Sequence, residues 1–223
     1  LTWHPGAMNA VPAGIFLANC VIRYTFSGRS SHAAAAPEMG RSALDALELM
    51  NIGIQFLREH IPSDARIHYA ITDTGGSAPN VVQAKASGLY QIRAPRTPMV
   101  IDIHERLNRI AKGAAMMTDT EVKIEFLKAT SSTLPNTVLD EVMAANLKEI
   151  PCPKNDGKDQ VFAQEILNTL LPKDKRPQKP LSETVLPYMP SEKLIPASTD
   201  VGDASWVCPV SQIGTATWPI GTA

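Results

Sequence analysis

Hydrophobic and polar positions along this chain follow two different periods, and the periods take turns. Residues 17–26 (Leu-Ala-Asn-Cys-Val-Ile-Arg-Tyr-Thr-Phe) are rich in β-branched and aromatic side chains and predict a strand that buries Cys20. Ser27-Gly28-Arg29-Ser30-Ser31-His32 breaks it, and Ala33 to Ala36 with Pro37 lead into a helix. There Ala43, Leu47, Met50, Ile54, Leu57 and Ile61 recur at steps of four and three, which makes one apolar stripe that Pro62 ends. Arg66 to Ile71 predicts a short strand, residues 73–80 a loop dense in turn formers, and Gly88 to Ala94 a third strand. Pro98 suits the first turn of a second helix, striped by Val100, Ile103, Leu107, Ile110 and Ala114. Last, Val122, Ile124 and Phe126 alternate with Glu121, Lys123 and Glu125, predicting a strand with one buried and one wet face. The order β-α-β-β-α-β matches the ferredoxin-like split unit, an α+β arrangement with two helices on one face of an antiparallel sheet.

After Thr130 the pattern weakens. Asn136 can cap a helix through Val138, Val142 and Ala145 to Ile150, and Asp156 or Asp159 can start another with Val161, Ile166 and Leu170. Residues 172–197 are proline-rich with no sustained period, a long irregular stretch for a compact domain.

Composition narrows the partners. The 223 residues carry 21 Lys+Arg against 22 Asp+Glu, so there is no electrostatic footprint for nucleic acid or an anionic membrane. No apolar run approaches the roughly 20 residues that cross a bilayer, and no leader pattern opens the chain. Cys20, Cys152 and Cys208 are odd in number and widely spaced, which excludes a disulfide scaffold and a CxxC metal knuckle and fits a reducing cytoplasm. Both ends, Leu1-Thr-Trp-His-Pro-Gly and Thr217-Trp-Pro-Ile-Gly-Thr-Ala223, read as cuts through folded structure, as in a piece of a longer protein.

Four residues could carry chemistry. His4 precedes Pro5, which favours an extended backbone there; it reads as a metal ligand or as a histidine without a role. His32 sits at a strand-to-helix corner among small residues, either as a donor to a developing oxyanion or as a helix-entry histidine bonded to its own backbone. Asn80 follows a glycine-rich loop and offers two donors and an acceptor. Arg93 interrupts an apolar strand and must pair or face solvent, so it either grips a carboxylate or lies on a solvated sheet face, with Arg96 as a neighbour suited to the same work. Less distinctive are Asp200 and Asp203, which flank Gly202 in what reads as an active-site loop or a helix cap, with too few ligands for calcium. His60, His68 and His104 read as structural. Nucleophile-elbow, phosphate-loop and dinucleotide motifs are absent from the sequence.

Taken in order, His4-Pro-Gly6, Gly28-Arg-Ser-Ser-His32-Ala-Ala-x-x-Pro37, Gly40-Arg-Ser-Ala43, Gly76-Ser-Ala-Pro-Asn80-Val-Val and Ile92-Arg93-Ala94 resemble dinuclear-metal amidohydrolases of the aminoacylase and glutamate carboxypeptidase type. The resemblance runs along essentially the whole chain. It implies an α/β metallopeptidase catalytic domain holding two divalent ions, manganese or zinc, interrupted by a β-α-β-β-α-β lid that mediates dimerisation. Residues 17–130 would be the lid, and residues 1–16 and 131–223 would belong to the catalytic domain. His4 would be a metal ligand, His32 the residue that stabilises the tetrahedral intermediate across the dimer, and Asn80 and Arg93 the grip on the substrate's carboxylate. The partner would be a homologous second subunit or a second copy, and the substrate a small-molecule amide. The family's other ligands and its general-base glutamate have no counterpart in these residues, so this polypeptide alone is expected to be inactive. The alternatives are a dimerisation or regulatory module and a protein that binds a small ligand without cleaving it.

Overall fold

The computed structural model describes residues 1–222. In chain order the elements are β1 (Thr2–Gly6), β2 (Ile15–Phe16), β3 (Ala18–Ser27), α1 (Ala43–Arg58), β4 (Arg66–Asp73), β5 (Lys85–Ala94), α2 (Thr97–Thr118), β6 (Glu121–Thr130), α3 (Thr137–Glu149), α4 (Gly157–Leu170), β7 (Leu194–Ile195), α5 (Val201–Ser205) and β8 (Gln212–Ala216). They divide into two compact units. One comprises residues 16–132 and 196–202, the other residues 1–15, 133–195 and 203–223.

The first unit is a four-stranded antiparallel sheet in the order β4-β5-β3-β6, crossed by α1 and α2. Cys20, Ile22, Tyr24 and Phe26 of β3 and Tyr90 and Ile92 of β5 pack in one core with Leu47, Met50 and Ile54 of α1 and Ile103 and Leu107 of α2, while Asn19 and Val21 on the other face of β3 are buried as well. Two tyrosines in this core keep their hydroxyls satisfied. Tyr24 donates to Asn108 at 2.7 Å and Tyr90 to Asn51 at 2.7 Å, and the two rings meet edge-on. The helices begin where local signals direct. Ser42 caps α1 by accepting from the Asp45 amide, and Pro98 lies in the first turn of α2.

Two expectations shift. The helix expected after Pro37 is a single 3-10 turn, Pro37–Met39, and the α-helix starts only at Ala43. Phe126, expected on a buried face, is 59% exposed. It lies on the edge strand β6 with its ring 6.2 Å from that of His104 of α2, and a register shift opposite Val21 and Ile22 disturbs the ladder there.

The second unit has less regular structure. β1 pairs in parallel with β8. Asn136 caps α3 by accepting from Leu139, and Asp156 with Asp159 forms a reciprocal capping box on α4. Asn9 stitches the unit's loops together, donating to the Ser182 carbonyl and accepting from the Ala216 amide. Among the described residues no helix is long and apolar enough to cross a membrane.

Candidate functional site

The corner that bears His32 is zipped on both sides. Arg29 and Arg41 exchange backbone hydrogen bonds of 2.9 and 2.8 Å, closing the loop between them. The Gly28 amide donates to Ala84, Val82 to Ser31 and Ala33 to Asn80, so the loop also runs along residues 80–84. Gly28 has to be glycine, since a Cβ there would stand 2.0 Å from the Arg41 carbonyl oxygen. The Arg41 guanidinium reaches the Asp119 carboxylate at 2.8 Å and, by hydrogen bond and charge, holds that carboxyl below its usual range.

His32 therefore projects from a fixed frame and is exposed to solvent. It opens a single turn in which its carbonyl accepts from Ala36 at 3.0 Å. Its Nδ1 lies 3.2 Å from the Ala34 amide and 3.1 Å from the Ala35 amide. Asn80 is brought beside it by the Ala33–Asn80 backbone bond and is exposed.

Arg93 is elsewhere. It lies at the far end of β5, opposite Asn19 of β3 and Arg66 of β4, whereas the corner follows Ser27 and precedes Lys85. Eight residues of strand separate Lys85 from Arg93, about 26 Å at 3.3 Å per residue. Arg93 is half-buried on the sheet face away from the helices and donates to Ser198 Oγ at 2.7 Å. Around it, Asn19 donates to Thr130 at 2.6 Å. His68 is held below the ordinary histidine range, first by burial and then by the charges of Arg93, Arg58 and Arg66. A cavity of about 400 Å³ lies along this edge, lined by Arg58, Ser63, Arg66 and His68, and includes none of the four candidate residues.

His4 lies on β1, exposed, with Nδ1 2.7 Å from the Pro5 carbonyl oxygen. A carbonyl only accepts, so Nδ1 carries the proton and the Nε2 lone pair is free, as a metal-ligating histidine requires. The rest of a metal centre is not here. Among the described residues no three His, Cys, Asp or Glu side chains come together, and one imidazole does not hold two ions. Asp200 immediately precedes the short helix α5 and Asp203 lies within it, with the Thr199 hydroxyl accepting from Val201. His104 is held low by burial, and its Nε2 is buried without a hydrogen-bond partner among the described residues.

Sequence reasoning picked out the loop that Ser198 opens for Asp200 and Asp203 but gave Ser198 itself no role, because its bond to Arg93 joins residues 105 positions apart. The backbone-bonded reading of His32 is borne out by the amides of Ala34 and Ala35, although the sequence did not say which amides they would be. The run of four alanines signalled only the lack of steric crowding.

No protein-family model matches the chain. In an alignment of 247 positions that takes in all of it, the chain is 42% identical to the B subunit of p-aminobenzoyl-glutamate hydrolase from Escherichia coli (strain K12), covering 50% of that protein. Along its whole length the chain resembles that hydrolase subunit. The A subunit of the same hydrolase is 26% identical across 56% of the chain and 30% of its own length. The solved aminobenzoyl-glutamate utilization protein of Klebsiella pneumoniae shares the fold over 64% of the chain and 37% of its own, with a TM-score of 0.53 at 23% identity. The chain thus spans about half the length of its B-subunit relative, and both of these Escherichia coli relatives are hydrolase components.

Proposed function

We propose that this chain is part of a hydrolase that cleaves the amide of p-aminobenzoyl-glutamate to p-aminobenzoate and glutamate. The observation that carries the reading is the 42% identity, along the whole chain, to the hydrolase's B subunit. In it, residues 17–130 form a ferredoxin-like lid and residues 1–16 and 131–223 are segments of the catalytic domain. His32 donates to the scissile carbonyl oxygen as negative charge gathers on it, Asn80 supplies a second polar contact, and Arg93 grips a glutamate carboxylate through its planar fork.

The separation along β5 gives this reading a definite form. Lys85, at the corner end of β5, stands about 26 Å by strand length from Arg93, so the loop that carries His32 and Asn80 and the arginine belong to opposite ends of the sheet. A shared site then takes the corner from one protomer and the arginine from another, through a second copy or a homologous partner. Exposed apolar side chains on the β4 side of the sheet support such an interface: Ile52 and Phe56 one turn apart on α1, and Tyr69 and Ile71 on the edge strand β4. The family's two divalent ions, manganese or zinc, belong to the complete enzyme. Among the described residues His4 is the only candidate ligand, and these residues do not fit the pair, so the polypeptide by itself is inactive. The three cysteines are unpaired, which accords with a reducing cytoplasm.

The test is His32→Ala in the full-length protein with its partner, read as p-aminobenzoate release. The expected loss is about 10²–10³ in kcat, and a rate within about threefold of the parent would overturn the role. The second reading, a dimerisation module, is favoured by the uncovered edge strand β4. It requires the full-length protein to purify as a metal-free dimer without hydrolytic activity.

A further inference from the structure

We infer that the amides of Ala34 and Ala35 lock His32 in the tautomer with its proton on Nε2, so that the ring meets a ligand only as a hydrogen-bond donor. The argument starts from the turn itself. With His32 as its cap, the turn's first free amides belong to Ala34 and Ala35, and both point at the ring's Nδ1, at 3.2 and 3.1 Å. An amide N–H can only donate, so Nδ1 must offer its lone pair. A neutral imidazole with its lone pair on Nδ1 carries its proton on Nε2. Moving that proton to Nδ1 would break both bonds and set N–H against N–H.

The other edge of the ring is left for a ligand. Nε2 makes no hydrogen bond among the described residues, and His32 is exposed to solvent. Methyl groups at positions 33 to 36 bring no rival acceptor to the turn. The backbone bond that His32 shows and the donor role proposed for it are thus one arrangement: capping consumes the acceptor nitrogen and presents the donor.

His4 provides the internal contrast. Its Nδ1 faces the Pro5 carbonyl, an acceptor, so its proton sits on Nδ1 and its Nε2 is the lone-pair edge. Nε2 of His4 is made to accept or ligate; Nε2 of His32 is made to donate. The ligand class for His32 is accordingly an acceptor oxygen, carbonyl or carboxylate, and not a metal ion or a proton to be abstracted. Ala34 and Ala35 act as positioning residues through their backbone, and the functional part of this inference rests on the proposed role of His32 in amide hydrolysis.

The tautomer is read without any catalysis. In the ¹⁵N-histidine-labelled chain, at a pH where the imidazoles are neutral, two-bond ¹H–¹⁵N correlations distinguish the tautomers, with the His32 signals assigned by their loss in His32→Gln. The Nε2–H pattern is expected for His32 and the Nδ1–H pattern for His4. A dominant Nδ1–H form or an even mixture at His32 overturns the lock. Ala35→Pro removes one donating amide and should move His32 toward a mixture; a folded Ala35→Pro chain with an unmoved pattern also counts against it. In the full-length protein with its partner, His32→Gln keeps a donor near the Nε2 position, whereas His32→Asn keeps only the turn cap. Gln is expected to retain at least about tenfold more kcat than Asn. Equal losses, with the Nε2–H tautomer still observed, would overturn the donor role and leave the lock standing.

Discussion

The two compact units bury apolar surface very differently. Between residues 18 and 115 the sheet-and-helix unit gathers a continuous core, with Ile22, Tyr24, Phe26, Leu47, Ile54 and Leu107 fully buried. In the other unit the buried apolar side chains among the described residues are Val11, Ala163, Leu167 and the prolines Pro180 and Pro219, while Val138, Val142, Val161 and Phe162 stand 54–72% exposed on α3 and α4. One unit has the packing of an independent domain. The other has capped, well-formed helices with little for their apolar faces to lie against. Helix caps and periodicity are therefore enough to form α3 and α4 but do not supply a core, and the difference decides which candidate site is firmly held. His32 is framed by backbone pairing on the first unit, whereas His4 lies on a two-stranded ribbon of the second.

The contrast can be broken most directly in the core. Leu47→Ala should cost about 2–5 kcal/mol in chemical unfolding, since Leu47 is fully buried beneath the sheet; a cost under about 1 kcal/mol would mean the first unit is no better packed than the second. Gly28→Ala tests whether the frame around His32 matters. The new methyl group would collide with the Arg41 carbonyl, so the corner must open, and the hydrolysis proposed for the full-length protein with its partner should lose about tenfold or more in kcat. Tyr90→Phe leaves the Asn51 carbonyl oxygen without its donor in a dry core, at about 1–3 kcal/mol; a neutral result would place water there.

A gentler test uses alkali. Burial pushes the Cys20 thiol from its ordinary 9.0 up to about 11. The folded state then holds the proton longer than the unfolded one, so stability is complete below about pH 9 and falls as the pH rises through 11. Tyr24 and Tyr90 are raised in the same direction, chiefly by burial, and extend the fall. Cys20→Ala should flatten the slope between pH 9 and 11, and an unchanged slope would deny that this group is responsible. Smallest of all, Val142→Ser on exposed α3 should change stability by no more than about 0.5 kcal/mol. A loss of several times that would show the face to be covered in solution.

The order of elements in the first unit was legible because long stripes such as Ala43, Leu47, Met50, Ile54 and Leu57 leave little choice of period or face. The caps Asn136 and Asp156 were legible for a local reason, since a side chain bonding three residues ahead needs no tertiary information. Phe126 misled because alternation reports a sheet face but not whether the strand is central or at an edge. β1 and β8 escaped notice because their parallel pairing joins residues more than 200 positions apart, which no short window contains. At the candidate site, the four residues could be picked out singly, but their distribution could not. Asn80 meets His32 through loop pairing, and Arg93 is carried away by the plain length of a strand.

That length has a genetic consequence. If His32 and Arg93 serve the same substrate, no chain completes its own site, and two defects need not add. A protomer with His32→Ala and another with Arg93→Ala, each inactive when expressed alone, would restore one intact centre of two when co-expressed, giving recovery from a pair of null alleles.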